Sequence, residues 1–300
     1  MNFETAIWRM RSPSQMHIIC VDVTNKCDLA CSNCTRLLEN QDAFWEMTPD
    51  NFRTALRSLH GYRGIVAMIG GNPCMHRNFE ELCEIFRQEV PNKQQRGLWT
   101  NNYFKHRQVI EETFGTFNLN AHGETKAAEQ LTDLATKMRQ DPKNIVWNYA
   151  DHADHAPLLT AVKDLYPEAE MWERISKCDI NQEWSASIVQ NKGELRYYFC
   201  EVAASFDLAR NEDHGYPLED GWWKKHIYQM KDQVARFCPG CGVPAKEKPC
   251  KDNEEVDVYT ETNADLALKS VEKKKRKVIQ ISPFEKTATA RRVTDYGTLV

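Results

Sequence analysis

Asn25-Lys26-Cys27-Asp28-Leu29-Ala30-Cys31-Ser32-Asn33-Cys34-Thr35-Arg36-Leu37 is the stretch on which the reading of this chain turns. Its three cysteines have the spacing C-x3-C-x2-C and follow an apolar run, His17-Ile18-Ile19-Cys20-Val21-Asp22-Val23, that predicts a β-strand. Iron–sulfur cubanes as a rule take four cysteine ligands, so three thiolates leave one iron open to a ligand that is not protein. A closed zinc site would want a fourth cysteine or histidine close by. The next candidates, Cys74 and His76, come about forty residues later.

Composition narrows the class without naming a substrate. The chain has 300 residues, 41% hydrophobic and 27% charged, with a mean hydropathy of −0.64. That is enough apolar material for one good core plus a smaller second unit under a wet surface. No apolar run approaches the roughly eighteen residues that cross a bilayer. The start, Met1-Asn2-Phe3-Glu4-Thr5, lacks the basic and apolar regions of a signal peptide. Eleven cysteines in such a chain argue for metal ligation over disulfides, hence for a cytoplasmic metalloprotein with no membrane partner. A formal charge of −4 gives no support for a general grip on nucleic acid.

Outward from the cysteine loop, strands and helices alternate. Residues 1–16 carry no periodic pattern and read as a lead-in segment. Thr48-Pro49-Asp50 opens a helix, with Thr48 as N-cap. Ile65 to Ile69 is a buried-type strand ending in Gly70-Gly71-Asn72-Pro73, and a helix follows with Phe79, Leu82, Cys83 and Phe86 on one face. Further strands are predicted over Gly97–Thr100, Thr116–Ala121 and Asn144–Tyr149, with helices over Phe104–Phe114, Glu124–Met138 and Pro157–Leu165. Met171-Trp172 starts a sixth strand in this reading. Such alternation argues for βα units around a parallel sheet, too few for a complete eight-stranded barrel. Near Ile175 the rhythm changes: Ser187 to Phe199 reads as a β-hairpin turning at Asn191-Lys192-Gly193, and Trp222 to Phe237 as a helix stopped by Cys238-Pro239-Gly240-Cys241. Beyond Asp252 the chain is polar and charge-blocked, with the run Lys273-Lys274-Lys275-Arg276-Lys277, and reads as a tail.

With its C-x3-C-x2-C loop after the first strand, the chain resembles the radical S-adenosylmethionine (SAM) superfamily. The resemblance implies an α/β fold with a partial (β/α)6 barrel over residues 17–175. Cys27, Cys31 and Cys34 would hold a 4Fe-4S cluster whose open iron is chelated by SAM. Reductive cleavage of SAM would then yield a 5′-deoxyadenosyl radical that abstracts a substrate hydrogen. In that family a Gly-Gly-Glu-Pro turn hydrogen-bonds the SAM amino group; here Gly70, Gly71, Asn72 and Pro73 stand in its place, with a neutral amide for the carboxylate. Asn101 matches the polar turn after the third strand, and Asn118 and Asn120 would reach the SAM ribose or carboxylate. An aromatic residue often precedes the third cysteine, against the adenine; this chain has Asn33.

Cys178, Cys200, Cys238 and Cys241, drawn from separate segments and closed by Cys-x-x-Cys, suit a second iron–sulfur cluster or zinc. Beside the upstream core, they look like a Twitch domain, the shortened relative of SPASM. That implies a small α+β unit over 176–250 carrying one auxiliary 4Fe-4S cluster, with 251–300 as the polar tail. Cys250 is an alternative to Cys178. Cys20, Cys74 and Cys83 read as core thiols.

A second cluster within tunnelling reach could take the electron left on the substrate after hydrogen abstraction, so the resemblance favours a two-electron oxidation. The layout resembles that of the aminocyclitol dehydrogenase of aminoglycoside biosynthesis, which turns a secondary alcohol into a ketone. A sugar, aminocyclitol or nucleoside is the expected substrate class, and a flavodoxin- or ferredoxin-type protein the expected one-electron reductant. Maturation of a ribosomally made peptide is the alternative, and a non-catalytic iron–sulfur or zinc protein that binds nucleic acid is the third reading. An alcohol oxidation needs a base: Asp151, His152 and His155 follow the fifth strand, and Arg174 the sixth. The other reading of the first three is a polar loop with a helix cap at Asp154.

Overall fold

All five residues of Ile18–Asp22 (β1) are buried, as in a strand covered on both faces. The rest of the sheet is laid out on either side of it. The structure, a computed structural model, describes the whole chain except residues 123–124, 148–153, 247–249, 252–255, 275–276, 283–290, 295–297 and 300. Ahead of β1, the segment read as a patternless lead-in forms a helix, α1 (Phe3–Ile7), capped by the Asn2 side chain. Ala6, Ile7 and Met10 are buried; one turn of apolar spacing was too short to register as a period.

The βα units run largely as their patterns predict. Thr48 accepts from Asn51 N at 3.2 Å to open α2 (Pro49–Ser58). Then come β2 (Ile65–Ile69), α3 (Phe79–Glu89), β3 (Arg96–Thr100), α4 (Arg107–Thr113), β4 (Thr116–Leu119), α5 (Lys126–Arg139) and β5 (Ile145–Val146). Phe52, Phe86 and Phe114 meet edge to face, with centroids 5.7 Å apart in each contact, and lock α2 and α3 together beneath the sheet. The predicted fifth strand shrinks to two residues, and Asn148 and Tyr149 lie outside the described residues.

The sixth strand is not there. Met171-Trp172 belongs to a helix, α7 (Glu168–Ile175), preceded by α6 (Val162–Leu165) and a two-residue strand β6 (Asp154–His155). Met171, Trp172 and Ile175 are its buried residues; their spacing is helical, and a two-residue apolar window cannot show it. The helix read over Pro157–Leu165 is likewise only its last turn. After α8 (Asp179–Glu183) the predicted hairpin appears as β7 (Ser185–Asn191) and β8 (Glu194–Tyr198), followed by α9 (Glu201–Ala209), β9 (Tyr216–Pro217) and α10 (Lys231–Phe237).

The sheet order is β5-β4-β3-β2-β1-β7-β8-β9. β1 to β5 are parallel, β7 pairs parallel with β1, and β8 and β9 continue antiparallel. The result is one mixed sheet flanked by helices, an α/β fold, in which the β7–β8 hairpin, between Cys178 and Cys200 in the chain, extends the sheet beside β1.

The polar tail is a further correction. β10 (Cys250–Lys251) pairs with β6, and β11 (Val256–Tyr259), α11 (Ala264–Lys274) and β12 (Lys277–Gln280) form a βαβ unit with β11 and β12 parallel. β13 (Arg291–Thr294) and β14 (Thr298–Leu299) add antiparallel strands. Asp257, Tyr259, Leu266, Ala267 and Val278 are buried. Sparse apolar residues suffice because the unit also uses polar contacts: Asn40 donates to Leu266 O at 2.7 Å and to Ser270 Oγ at 3.0 Å. Of the basic run, Lys275 and Arg276 lie outside the described residues. Among the described residues no helix is long and apolar enough to cross a membrane.

Candidate metal centres

The first thiol site is a loop at the C-terminal end of β1, fixed by backbone. Gly71 N donates to Thr24 O and Asn72 N to Lys26 O, both at 2.7 Å. A Cβ on Gly70, where φ is +143°, would sit 2.3 Å from Thr24 O, and one on Gly71 2.3 Å from Lys26 O. The glycines therefore let the turn close on the chain leading into the cysteine loop. Asn72 is fully engaged: its Oδ1 accepts from Thr100 Oγ1 at 2.8 Å and Cys74 N at 3.2 Å, and its Nδ2 donates to Asp28 Oδ1 at 3.1 Å and to Asn101 Oδ1. Asn101 also donates to Asp28 Oδ1, at 3.4 Å. The carboxamide oxygen expected to face a ligand is thus turned into the protein, and Asp28, which the sequence reading passed over, is the exposed acid beside Cys27.

Cys27, Cys31 and Cys34 are half-buried. Leu29 N donates to Cys27 Sγ at 3.4 Å, and Cys31 Sγ lies 3.7 Å from His122 Nδ1. Burial pushes the Cys27 thiol up to about 12 and raises Cys34, so both stay protonated until a cation compensates the desolvated charge. Asn33 holds a left-handed backbone at φ 52°, and its N–H donates to Asp257 Oδ1 at 2.7 Å. Asp257→Ala is expected to cost about 1–3 kcal/mol by orphaning that buried donor. Chemical denaturation, with chelator resistance of the bound metal alongside, measures it.

The second site is more enclosed. Cys178 precedes α8, Cys200 precedes α9, and Cys238 and Cys241 follow α10; all four line a small cavity of about 20 Å³ with Met10, Phe199 and Phe206. Each thiol is raised by burial, Cys178 to about 11 and Cys200 to about 12, and Cys200, Cys238 and Cys241 are each raised further by neighbouring thiols of the set. The backbone N–H groups of Ile180 and Asn181 oppose that rise at Cys178, those of Val202 and Ala203 at Cys200, and that of Val243 at Cys241. N–H dipoles near sulfur favour the thiolate that a metal would bind. Cys250, the alternative ligand, pairs through its backbone with His155.

Among the described residues, the one set of three or more His, Cys, Asp or Glu ligand atoms lying mutually within 4.8 Å is Asp207, Glu212 and His214. These could hold a cation, and they also satisfy one another: His214 Nδ1 is 2.9 Å from Asp207 Oδ1 and 3.3 Å from Glu212 Oε2, and Tyr198 donates to Asp207 at 2.6 Å.

One face of the sheet carries Ile18, Cys20, Ala67 and Trp99 as a small apolar cluster with Trp184 against it. By strand alternation and register, Asp22 and Asn118 share that face. Among the described residues Asp22 Oδ1, Asn118 Oδ1 and Ser187 Oγ are buried without a hydrogen-bond partner, a polar lining that a ligand or water would complete. Asn120 follows β4, its N–H on Thr100 O at 3.0 Å.

Arg36 lies between two carboxylates, with Glu201 at 3.1 Å and Asp22 at 3.6 Å. Glu201 has the closer contact and is held below the usual range despite its burial, by Arg36 and by donors from Ser185 and Cys20. Asp22 is pushed up to about 6 by burial and by Glu201. Ionising Asp22 therefore costs stability as pH rises from about 4 to 6, on the order of 2–3 kcal/mol. Asp22→Asn is expected to be at least as stable as wild type at pH 7 and to lose that pH dependence, checked by urea unfolding at pH 4.5 and 7.

Of the expected bases, Asp151 and His152 lie outside the described residues, and His155 is described only as part of β6. Arg174 is on α7 instead of following a strand. It pairs with Glu170 at 2.9 Å, donates to Ala245 O at 3.1 Å and stacks 3.7 Å over Tyr166, tying α7 to the turn beyond Cys241.

No family model and no curated protein matches the chain. Among solved structures it is similar to BtrN in complex with AdoMet and 2-DOIA: TM-score 0.48, 18% identity, over 79% of this chain and 92% of that one. It is also similar to Streptococcus suis SuiB bound to precursor peptide SuiA: TM-score 0.38, 12% identity, over 77% and 70%.

Proposed function

We propose that the chain is a radical SAM oxidoreductase with two 4Fe-4S clusters. The observation that carries the reading is the pairing of a three-thiol loop at the end of β1 with a separate, buried four-thiol pocket. When bound, these groups would supply a 5′-deoxyadenosyl radical for hydrogen abstraction and an acceptor for the electron left on the substrate, a net two-electron oxidation of a secondary alcohol.

Cys27, Cys31 and Cys34 hold the first cluster and Cys178, Cys200, Cys238 and Cys241 the second. Three thiols in the first loop leave one iron of a cubane open, whereas a closed zinc site would want a fourth ligand. Asn72 and Asn101 fix Asp28 beside Cys27, while Asp22, Asn118 and Ser187 offer unpaired polar atoms to a hydroxylated ligand such as a sugar, aminocyclitol or nucleoside. The apolar cluster of Ile18, Cys20, Ala67 and Trp99 lines the same face and keeps water out.

The test is anaerobic incubation of reconstituted protein with SAM, a flavodoxin-type reductant and a panel of hydroxylated small molecules. Formation of 5′-deoxyadenosine with a product lighter by two hydrogens is expected. The same change only in a peptide would support the maturase reading, and zinc in the second site would remove the basis for the oxidation.

A further inference from the structure

A buried ion pair stands between the two thiol sites. Arg36, two residues after Cys34, is 4% exposed; Glu201, the residue after Cys200, is 8% exposed. Arg36 Nη2 donates to Glu201 Oε2 at 3.1 Å, so the path from Cys34 through Arg36 and Glu201 to Cys200 has one non-covalent step. The same carboxylate oxygen accepts from Cys20 Sγ at 3.2 Å and from Ser185 Oγ, both buried residues. The guanidinium belongs to the residue two after Cys34, on the first-site side, where it also faces Asp22 at 3.6 Å. The carboxylate belongs to the residue that follows Cys200, on the second-site side. Such a pair contributes little net stability, because desolvation offsets most of its attraction. Stability alone therefore does not explain its place.

We propose that the Arg36–Glu201 pair is a fixed field that sets the reduction potentials of the two sites apart, favouring an electron at the Cys27/Cys31/Cys34 site over the Cys178/Cys200/Cys238/Cys241 site. The proposal rests on the reading of both sites as iron–sulfur centres. Positive charge beside a centre eases its reduction and negative charge opposes it; neither is screened by solvent here. Glu201 and Arg36 are positioning residues, since neither is a ligand.

The experiment is potentiometry followed by electron paramagnetic resonance on anaerobically reconstituted wild type, Glu201→Gln, Glu201→Asp and Ser185→Ala, with iron counted on every sample. The auxiliary signal is assigned from protein lacking Cys27, Cys31 and Cys34. Wild type with fewer than about eight irons per chain ends the two-cluster reading itself, before potentials are compared. Given that iron, Glu201→Gln should move the auxiliary signal to more positive potential, and further than the first-site signal. Glu201→Asp should stay near wild type. Ser185→Ala, by removing a donor that offsets the carboxylate charge, should move the auxiliary signal the other way. Unchanged potentials in iron-replete Glu201→Gln overturn the proposal. If that variant fails to load, an unchanged Ser185→Ala protein overturns it.

Discussion

Replacing Cys27, Cys31 and Cys34 together with alanine is expected to lower iron after anaerobic reconstitution from about eight atoms per chain to about four, and to abolish 5′-deoxyadenosine formation. The three thiols belong to a single half-buried loop after β1. The other four come from the ends of α8, α9 and α10 around their own pocket, so the second site should load without the first. Iron and sulfide analysis measures it. Residual iron near four would place a cubane in each site. A fall to none would leave the first loop as the only iron site, and the acceptor role of the second would have no support.

Gly71→Ala is expected to cost about 2–4 kcal/mol and to strip iron from the first site selectively. The new methyl would meet Lys26 O at 2.3 Å. That carbonyl cannot give way, because it accepts from Asn72 N at 2.7 Å while Thr24 O accepts from Gly71 N at the same distance. Relief means breaking one or both bonds, each worth about 1 kcal/mol, and withdrawing the turn from the segment that enters the cysteine loop. Urea unfolding gives the stability, and iron content before and after chelator treatment gives the selectivity. A variant as stable as wild type would show that the loop adjusts freely and that the glycines are there for a ligand after all.

Much of this was legible in the chain. The strand–loop–helix rhythm through β4 could be read because each element carries its own period, and a period is local. The grouping of Cys178, Cys200, Cys238 and Cys241 around one cavity follows the grouping that their chain positions suggested. The misreadings were made where the local signal was short or polar. Met171-Trp172 reads as strand or helix until Ile175 is seen on the same face, and α1 is barely more than a turn. The C-terminal βαβ unit was hidden because Asn40, Asp257 and Asn263 bury their side chains in long-range hydrogen bonds, which hydropathy counts as exposure.

By itself, the sequence determined the thiol inventory, the glycine turn and the alternation of strands and helices, since ligand chemistry, φ freedom and side-chain period belong to residues and their near neighbours. Only the tertiary structure decided that β7 would lie against β1. It alone decided that Gly71 would give its Cβ space to Lys26 O, that Asn72 would spend both ends of its amide inside the protein, and that Arg36 would meet Glu201 across 165 positions. Those outcomes depend on which buried polar groups find partners after the sheet has formed. That competition is settled by packing distances, which no spacing along the chain records.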